Sequence, residues 1–284
     1  MTTHLHGMSG WDVAAIAVLG CLATMYAVGR RRLVIRGARV RLVERVAFWT
    51  GWMAAVVALV PPIDTLASRL FSAHMFQHEM LMLVAAPLIV AGRPIVALLW
   101  ALPDQTRLRV ARGRGAAAIT ALWSALTLPA VAWAVHGVTV WVWHVPALYQ
   151  AAVLSEGIHG FQHVTFVGSA ALFWWGLVYG RYGRAGYGAA VLYVFSTLVH
   201  TGVLGALFTL SRTPFYPVYV QRASAANVDP VADQQLAGLV MWIPAGVVLT
   251  CLGLALFTAW LAASERRTAS NEQVGRNRVP TYPA

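Results

Sequence analysis

The chain has 284 residues, 59% of them hydrophobic and only 11% charged, with a mean hydropathy of +0.64. Soluble domains carry about a quarter charged residues, so a soluble globular domain is excluded. All 21 basic residues are arginine, which excludes retinal and pyridoxal-phosphate Schiff bases and a Walker A lysine, since each needs an amine.

Seven apolar runs follow in chain order, at 11–29, 46–63, 74–97, 117–144, 159–180, 187–210 and 234–263. Each is long enough for a helix to cross ~30 Å of hydrocarbon. Helix is preferred to strand because the runs are continuous, without ten-residue alternation. The fourth run contains Pro129, which predicts a tilt or kink. Pro87 and Pro244 lie inside the third and seventh runs, where neighbouring helices can satisfy the freed carbonyls. Cys21 and Cys251 fall inside apolar runs and are read as small buried hydrophobes.

The arginines orient this bundle. The segments after the first, third, fifth and seventh runs hold 18 of the 21, from Arg30 to Arg278; the other side holds only Arg69, Arg212 and Arg222. By the positive-inside rule the N-terminus is outside and the C-terminus cytoplasmic. The net charge of +11 is thus topological, and no nucleic-acid partner is expected. The N-terminus lacks a basic n-region, so the first run is read as a retained span and not a signal peptide. The predicted fold class is all-α: a polytopic membrane protein, a bundle of seven transmembrane helices forming one domain over 1–263. A disordered cytoplasmic tail is expected over 264–284. The loop 211–233, with Tyr216 and Tyr219, is expected to be ordered at the interface.

In this topology none of the nine histidines falls in a cytoplasmic loop. His74-Met75-Phe76-Gln77-His78 and His159-Gly160-Phe161-Gln162-His163 repeat one His-x-Phe-Gln-His pattern. Each opens a helix entering from outside. Residues i and i+4 share a helical face, with Cβ atoms about 5–6 Å apart, which suits two imidazoles on one ion. A single intramembrane histidine is often only a hydrogen-bond partner between helices; two matched pairs point to a metal site. His144, closing the fourth run, joins the candidate ligands. His136, His200, Glu79, Met75, Met82 and Met241 are further candidates, as ligands or as hydrogen-bond partners of ligands. His4 and His6 are read as solvated.

Imidazole suits zinc, copper and iron alike, and nearby thioethers favour copper(I). Haem and zinc remain alternatives, haem needing one axial histidine per helix. No Ser/His/Asp order, glycine-rich phosphate loop or ATPase signature stands in the chain, which is read as a non-enzyme.

Several segments together resemble the CtaG family of bacterial cytochrome c oxidase assembly factors, of the polytopic membrane type. They are Ser72 to His78 with Leu83 to Leu88, Trp143 to Tyr149, His159 to His163 with Phe173-Trp174-Trp175, Leu204 to Leu207, Tyr216-Pro217, and Ala237 to Pro244. The resemblance covers roughly 46–263 and places His74, His78, His144, His159 and His163 on motif positions. It implies a multi-pass protein of the bacterial cell (inner) membrane that helps build the copper centre of the haem–copper oxidase catalytic subunit. A copper donor outside the cytoplasm is implied as a second partner. A haem-binding electron carrier, a metal transporter and a purely structural scaffold are the competing readings.

Overall fold

The computed structural model describes residues 10–113, 115–180 and 186–276, with side chains described between 13 and 268. His4, His6, Arg114, Arg181 and Arg184 lie outside the described residues. Among the described residues all regular structure is helical. The elements are α1 (Gly10–Ile35), α2 (Leu42–Leu59), α3 (Ile63–Ala67), α4 (Phe71–Glu79), a π turn (Met80–Ala85), α5 (Ala86–Ala91), α6 (Pro94–Ala101) and α7 (Asp104–Arg112). There follow α8 (Ala116–Leu126), α9 (Pro129–Trp143), α10 (Pro146–Leu154), α11 (Glu156–Tyr179), α12 (Gly186–Leu210), α13 (Pro217–Ala225) and α14 (Pro230–Arg276).

Five helical stretches are long and apolar enough to cross a membrane: Val13–Ile35, Leu42–Leu59, Phe71–Ala91, Gly186–Leu210 and Pro230–Thr268. The pair α8–α9 makes a sixth, bent by 71° where Pro129 starts a new helix. Proline has no N–H to continue the ladder, so the break falls at its residue. The remaining expected span, 159–180, forms the 24-residue α11, which is not apolar enough to count with these six, so the expected seven are not all matched. It is less apolar than the others because Glu156, His159, Gln162 and His163 fill its first turns. Helix α14 runs on to Arg276, into the segment expected to be a disordered tail. Cys21 and Cys251, expected to be buried, are both exposed on the bundle surface. An apolar thiol facing hydrocarbon pays no penalty there.

The α4–π–α5 unit lies at the centre. It packs on α2 through the π turn and α5, on α11, and on α14 through α4, while α12 lies along α14 and α1 along α6. The π turn sits just before Pro87, whose ring would strike the carbonyl one α-turn earlier; widening the turn relieves this. A carbonyl in the widened turn is served from outside, as the Trp174 indole N–H donates to Met82 O at 2.9 Å.

The start of α4 is held by a distant acid. Asp233 of α14, itself buried, accepts from the backbone N–H of Phe71 at 2.7 Å and of Ser72 at 3.2 Å, and from the Ser72 hydroxyl. Neither donor has a partner inside its own helix, and the negative charge faces the positive helix end. At the opposite end of the bundle, buried Arg30 reaches Glu44 at 3.0 Å and Gly92 O at 2.6 Å, tying α1 to α2 and α5. Outside the spans, the Arg36 guanidinium holds the Asp104 carboxyl below the usual carboxylate range.

Helices α12 and α14 meet at paired glycines. A Cβ on Gly238 would lie 2.6 Å from Gly205 O, and one on Gly205 would lie 2.9 Å from Trp242 Cβ. Small residues permit this backbone approach, which drives helix association in lipid. Gly238→Leu is expected to destabilise the detergent-solubilised protein by about 1–3 kcal/mol, read as a lowered thermal midpoint. Asp233→Ala, which strips the α4 cap, should cost about 2 kcal/mol in the same assay. An unchanged midpoint in either variant would contradict the packing described.

Candidate metal centre

The repeated pentads come together at one end of the bundle. Helix periodicity stacks His74 over His78 on α4 and His159 over His163 on α11. The donor atoms of His74, His78 and His163 all lie within 4.8 Å of one another. His159 completes the group by ring contact, 5.1 Å from His74 and 4.3 Å from His163 between centroids. In both pentads the phenylalanine, Phe76 or Phe161, faces outward, and the glutamine is fully buried. The Gln77 amide N–H donates to Ala58 O at 2.8 Å and to Asp64 at 3.0 Å, anchoring α4 beside α2 and α3.

The hydrogen bonds determine which nitrogen carries a lone pair. Burial holds the Tyr219 hydroxyl well above the usual phenol range, so it keeps its proton. That proton goes to Ala67 O, at 2.9 Å, because a carbonyl can only accept. Tyr219 therefore accepts from Nδ1–H of His74, also at 2.9 Å. The Nε2 of His74 is then bare and faces Nε2 of His78 at 3.0 Å. Three imidazoles with a fixed tautomer in one of them form a neutral nitrogen donor set, packed against the rings of Tyr149, Phe166 and Tyr219.

The other candidates stand apart. His144 caps the end of α9, and its Nδ1 lies 2.6 Å from Val140 O. Its ring is 6.1 Å from both Phe166 and Tyr149, which in turn contact His78 at 4.6 Å and His74 at 5.4 Å. His136 bonds Ser169 at 3.2 Å. Glu79, Met82, His136, His144 and Met241 line a separate cavity. His200 instead meets Trp141 Nε1 at 3.4 Å, between α12 and α9. Met75 is buried in an apolar cluster with Phe71 and Val140. Tyr216 and Tyr219, expected at the interface, point inward and are buried. Tyr219 and Asp233 escaped the sequence reading because each acts on α4 from more than 140 positions away, beyond any spacing rule.

Residues 24–263 match the family described as cytochrome c oxidase caa3 assembly factor. Similar proteins include an uncharacterized protein of Mycobacterium bovis and one of Mycobacterium tuberculosis. Each is 27% identical over 262 residues, covering 88% of this chain and 39% of the relative. The chain thus spans about two-fifths of the length of these curated relatives. No solved structure matches it. Since the family match takes in the α4 and α11 pentads and most of the described helices, the chain belongs to the cytochrome c oxidase caa3 assembly factors.

Proposed function

We propose that His74, His78 and His163, with His159 beside them, hold a copper ion on its way to the catalytic subunit of a haem–copper oxidase. The observation that carries this reading is the trio of imidazole donors within 4.8 Å inside an apolar bundle. Family membership supplies the partner, because an oxidase assembly factor works on the oxidase. Copper is the cargo here and not a resident cofactor.

The donor chemistry favours copper(I). Imidazoles bind copper, zinc and iron, but a neutral set of three leaves a divalent ion with its full charge in a low-dielectric interior. A monovalent ion bears a smaller desolvation cost. Absence of thiolate keeps the hold moderate, which suits an ion that must be released. His74 contributes Nε2, oriented by Tyr219 behind it, an arrangement that fixes ring direction and raises ligand basicity. The arginine distribution supports placing this end outside the cell membrane, where a copper donor would reach it. The site lies within the first turns of α4 and α11, a depth from which an ion can pass laterally to an acceptor in the same bilayer.

The packing speaks against haem as the ligand. The imidazole rings stand at centroid distances of 4.3 to 6.2 Å from one another, too close for a porphyrin between them.

In a host lacking its own copy, His78→Ala/His163→Ala protein at normal abundance is expected to leave the oxidase deficient in copper and inactive. Oxidase copper is measured in isolated membranes beside the level of the assembly factor. Normal copper content in that strain would refute the delivery role, and a Soret band in the purified wild-type protein would replace copper by haem.

A further inference from the structure

Beside Glu79 lies a second space. It is a cavity of about 60 Å³ among the π turn, α9, α11, α12 and α14, room for a cation with a few waters. Its apolar walls are interrupted by Glu79, His136, His144, Thr197 and Thr201, and by the thioethers of Met82 and Met241.

Tracing the protons shows what this wall offers. Ser169 donates to Phe166 O at 3.1 Å, so it accepts from Nδ1–H of His136, and Nε2 of His136 carries no proton. His144 Nδ1 faces a carbonyl at 2.6 Å and must donate, which leaves Nε2 bare; that atom is buried and has no hydrogen-bond partner. The hydroxyls of Thr197 and Thr201 donate to Tyr193 O and Thr197 O, each at 2.8 Å. Thioether sulfur only accepts. Among the described residues no hydrogen bond or ion pair reaches the Glu79 carboxyl. Apart from a proton on Glu79 itself, every polar group of the wall therefore presents lone pairs. A buried space lined by acceptors, one of them a carboxyl, is complemented by a cation.

We propose that this cavity is a second copper site, taking copper(I) through Nε2 of His144 and the thioethers of Met82 and Met241, with Glu79 and His136 elsewhere in its wall. The proposal rests on the copper reading above for the identity of the ion. The mixed sulfur and imidazole set is the cavity's own argument for a soft cation, since magnesium and calcium take oxygen donors. A carboxylate also balances the charge of the ion, which the histidine cluster cannot do. Its place in the sequence of events follows from adjacency: Glu79 succeeds His78 in the chain, and Phe166 touches the rings of both His78 and His144. The cavity is the next station inward from the cluster.

The test is a copper(I) titration of purified full-length protein against a chromophoric copper(I) chelator, with X-ray absorption at the copper edge. The wild type is compared with Met82→Leu/Met241→Leu, a size-matched change that spares packing, and with His78→Ala/His163→Ala. The wild type is expected to take two equivalents and to show copper–sulfur scattering. The methionine variant should keep one equivalent and lose the sulfur signal. The histidine variant should keep one equivalent with the sulfur signal intact. One equivalent in the wild type, in a nitrogen-only shell unchanged by Met82→Leu/Met241→Leu, overturns the cavity site and leaves the cluster standing. One equivalent whose sulfur signal survives His78→Ala/His163→Ala supports the cavity and overturns the cluster as a copper site. No copper in any of the three proteins overturns both.

Discussion

In a hydrocarbon surround, each buried N–H and O–H must find an acceptor within the protein. At the histidine end of this bundle the donors are claimed by backbone carbonyls. Tyr219 serves Ala67, Tyr216 serves the carbonyl of His144, and the His144 ring serves Val140. Because carbonyls take those protons, Nε2 of His74 and Nε2 of His144 are left with lone pairs. The donor character of the site thus follows from the pairing demands of the helix ends around it. The cap on α4 belongs to the same scheme: Asp233 takes up two first-turn N–H groups that have no partner inside their own helix.

The opposite end solves a different problem by similar means. Arg30 is buried, yet its guanidinium meets a carboxylate, a carbonyl and the Tyr26 hydroxyl at once. A planar fork with five donors can do this, and an ammonium on a flexible stem cannot do it in the same geometry. The chain's exclusive use of arginine is consistent with that need at Arg32 also, which reaches the carbonyls of Ala101 and Leu102 at the end of α6. One end of the bundle is locked by cations on oxygen; the other is kept rich in unprotonated nitrogen.

Much of this was legible in the sequence. Continuous apolar runs marked where helices stand, and the i, i+4 spacing of two pentads put four imidazoles in two facing pairs, which is how α4 and α11 present them. Periodicity could not reveal which buried tyrosines and acids hold these helices in place, since Tyr219 and Asp233 reach α4 from far along the chain. Nor could it separate His144 from the cluster: the rings that contact both, Phe166 and Tyr149, are buried, which spacing alone does not reveal. Tyr219 looked like an interfacial tyrosine, and only the fold of α13 turns it inward. Glu79, read beside His78 as a ligand or a ligand's hydrogen-bond partner, lines the second cavity, a placement that only the fold reveals.

That π turn carries a consequence for how the family's sequences can vary. A widened turn contains one residue more than the α-helix it interrupts, and its slower winding absorbs that residue, so the two halves of the span keep nearly the facing of a regular helix. Loss of one residue from 80–85 would therefore return the segment to an α-helix with the histidines still toward α11 and α5 still seated on α2, where Gly51 admits Ala85, Leu88 and Ile89 at close range. Such a loss would remove the opened ladder that accommodates Pro87 and the Met82 carbonyl that Trp174 serves. A further insertion has no such outlet, because it would turn everything before it by about 100° relative to α5. The segment is thus closed to lengthening, whereas the shorter form costs only strain at the proline.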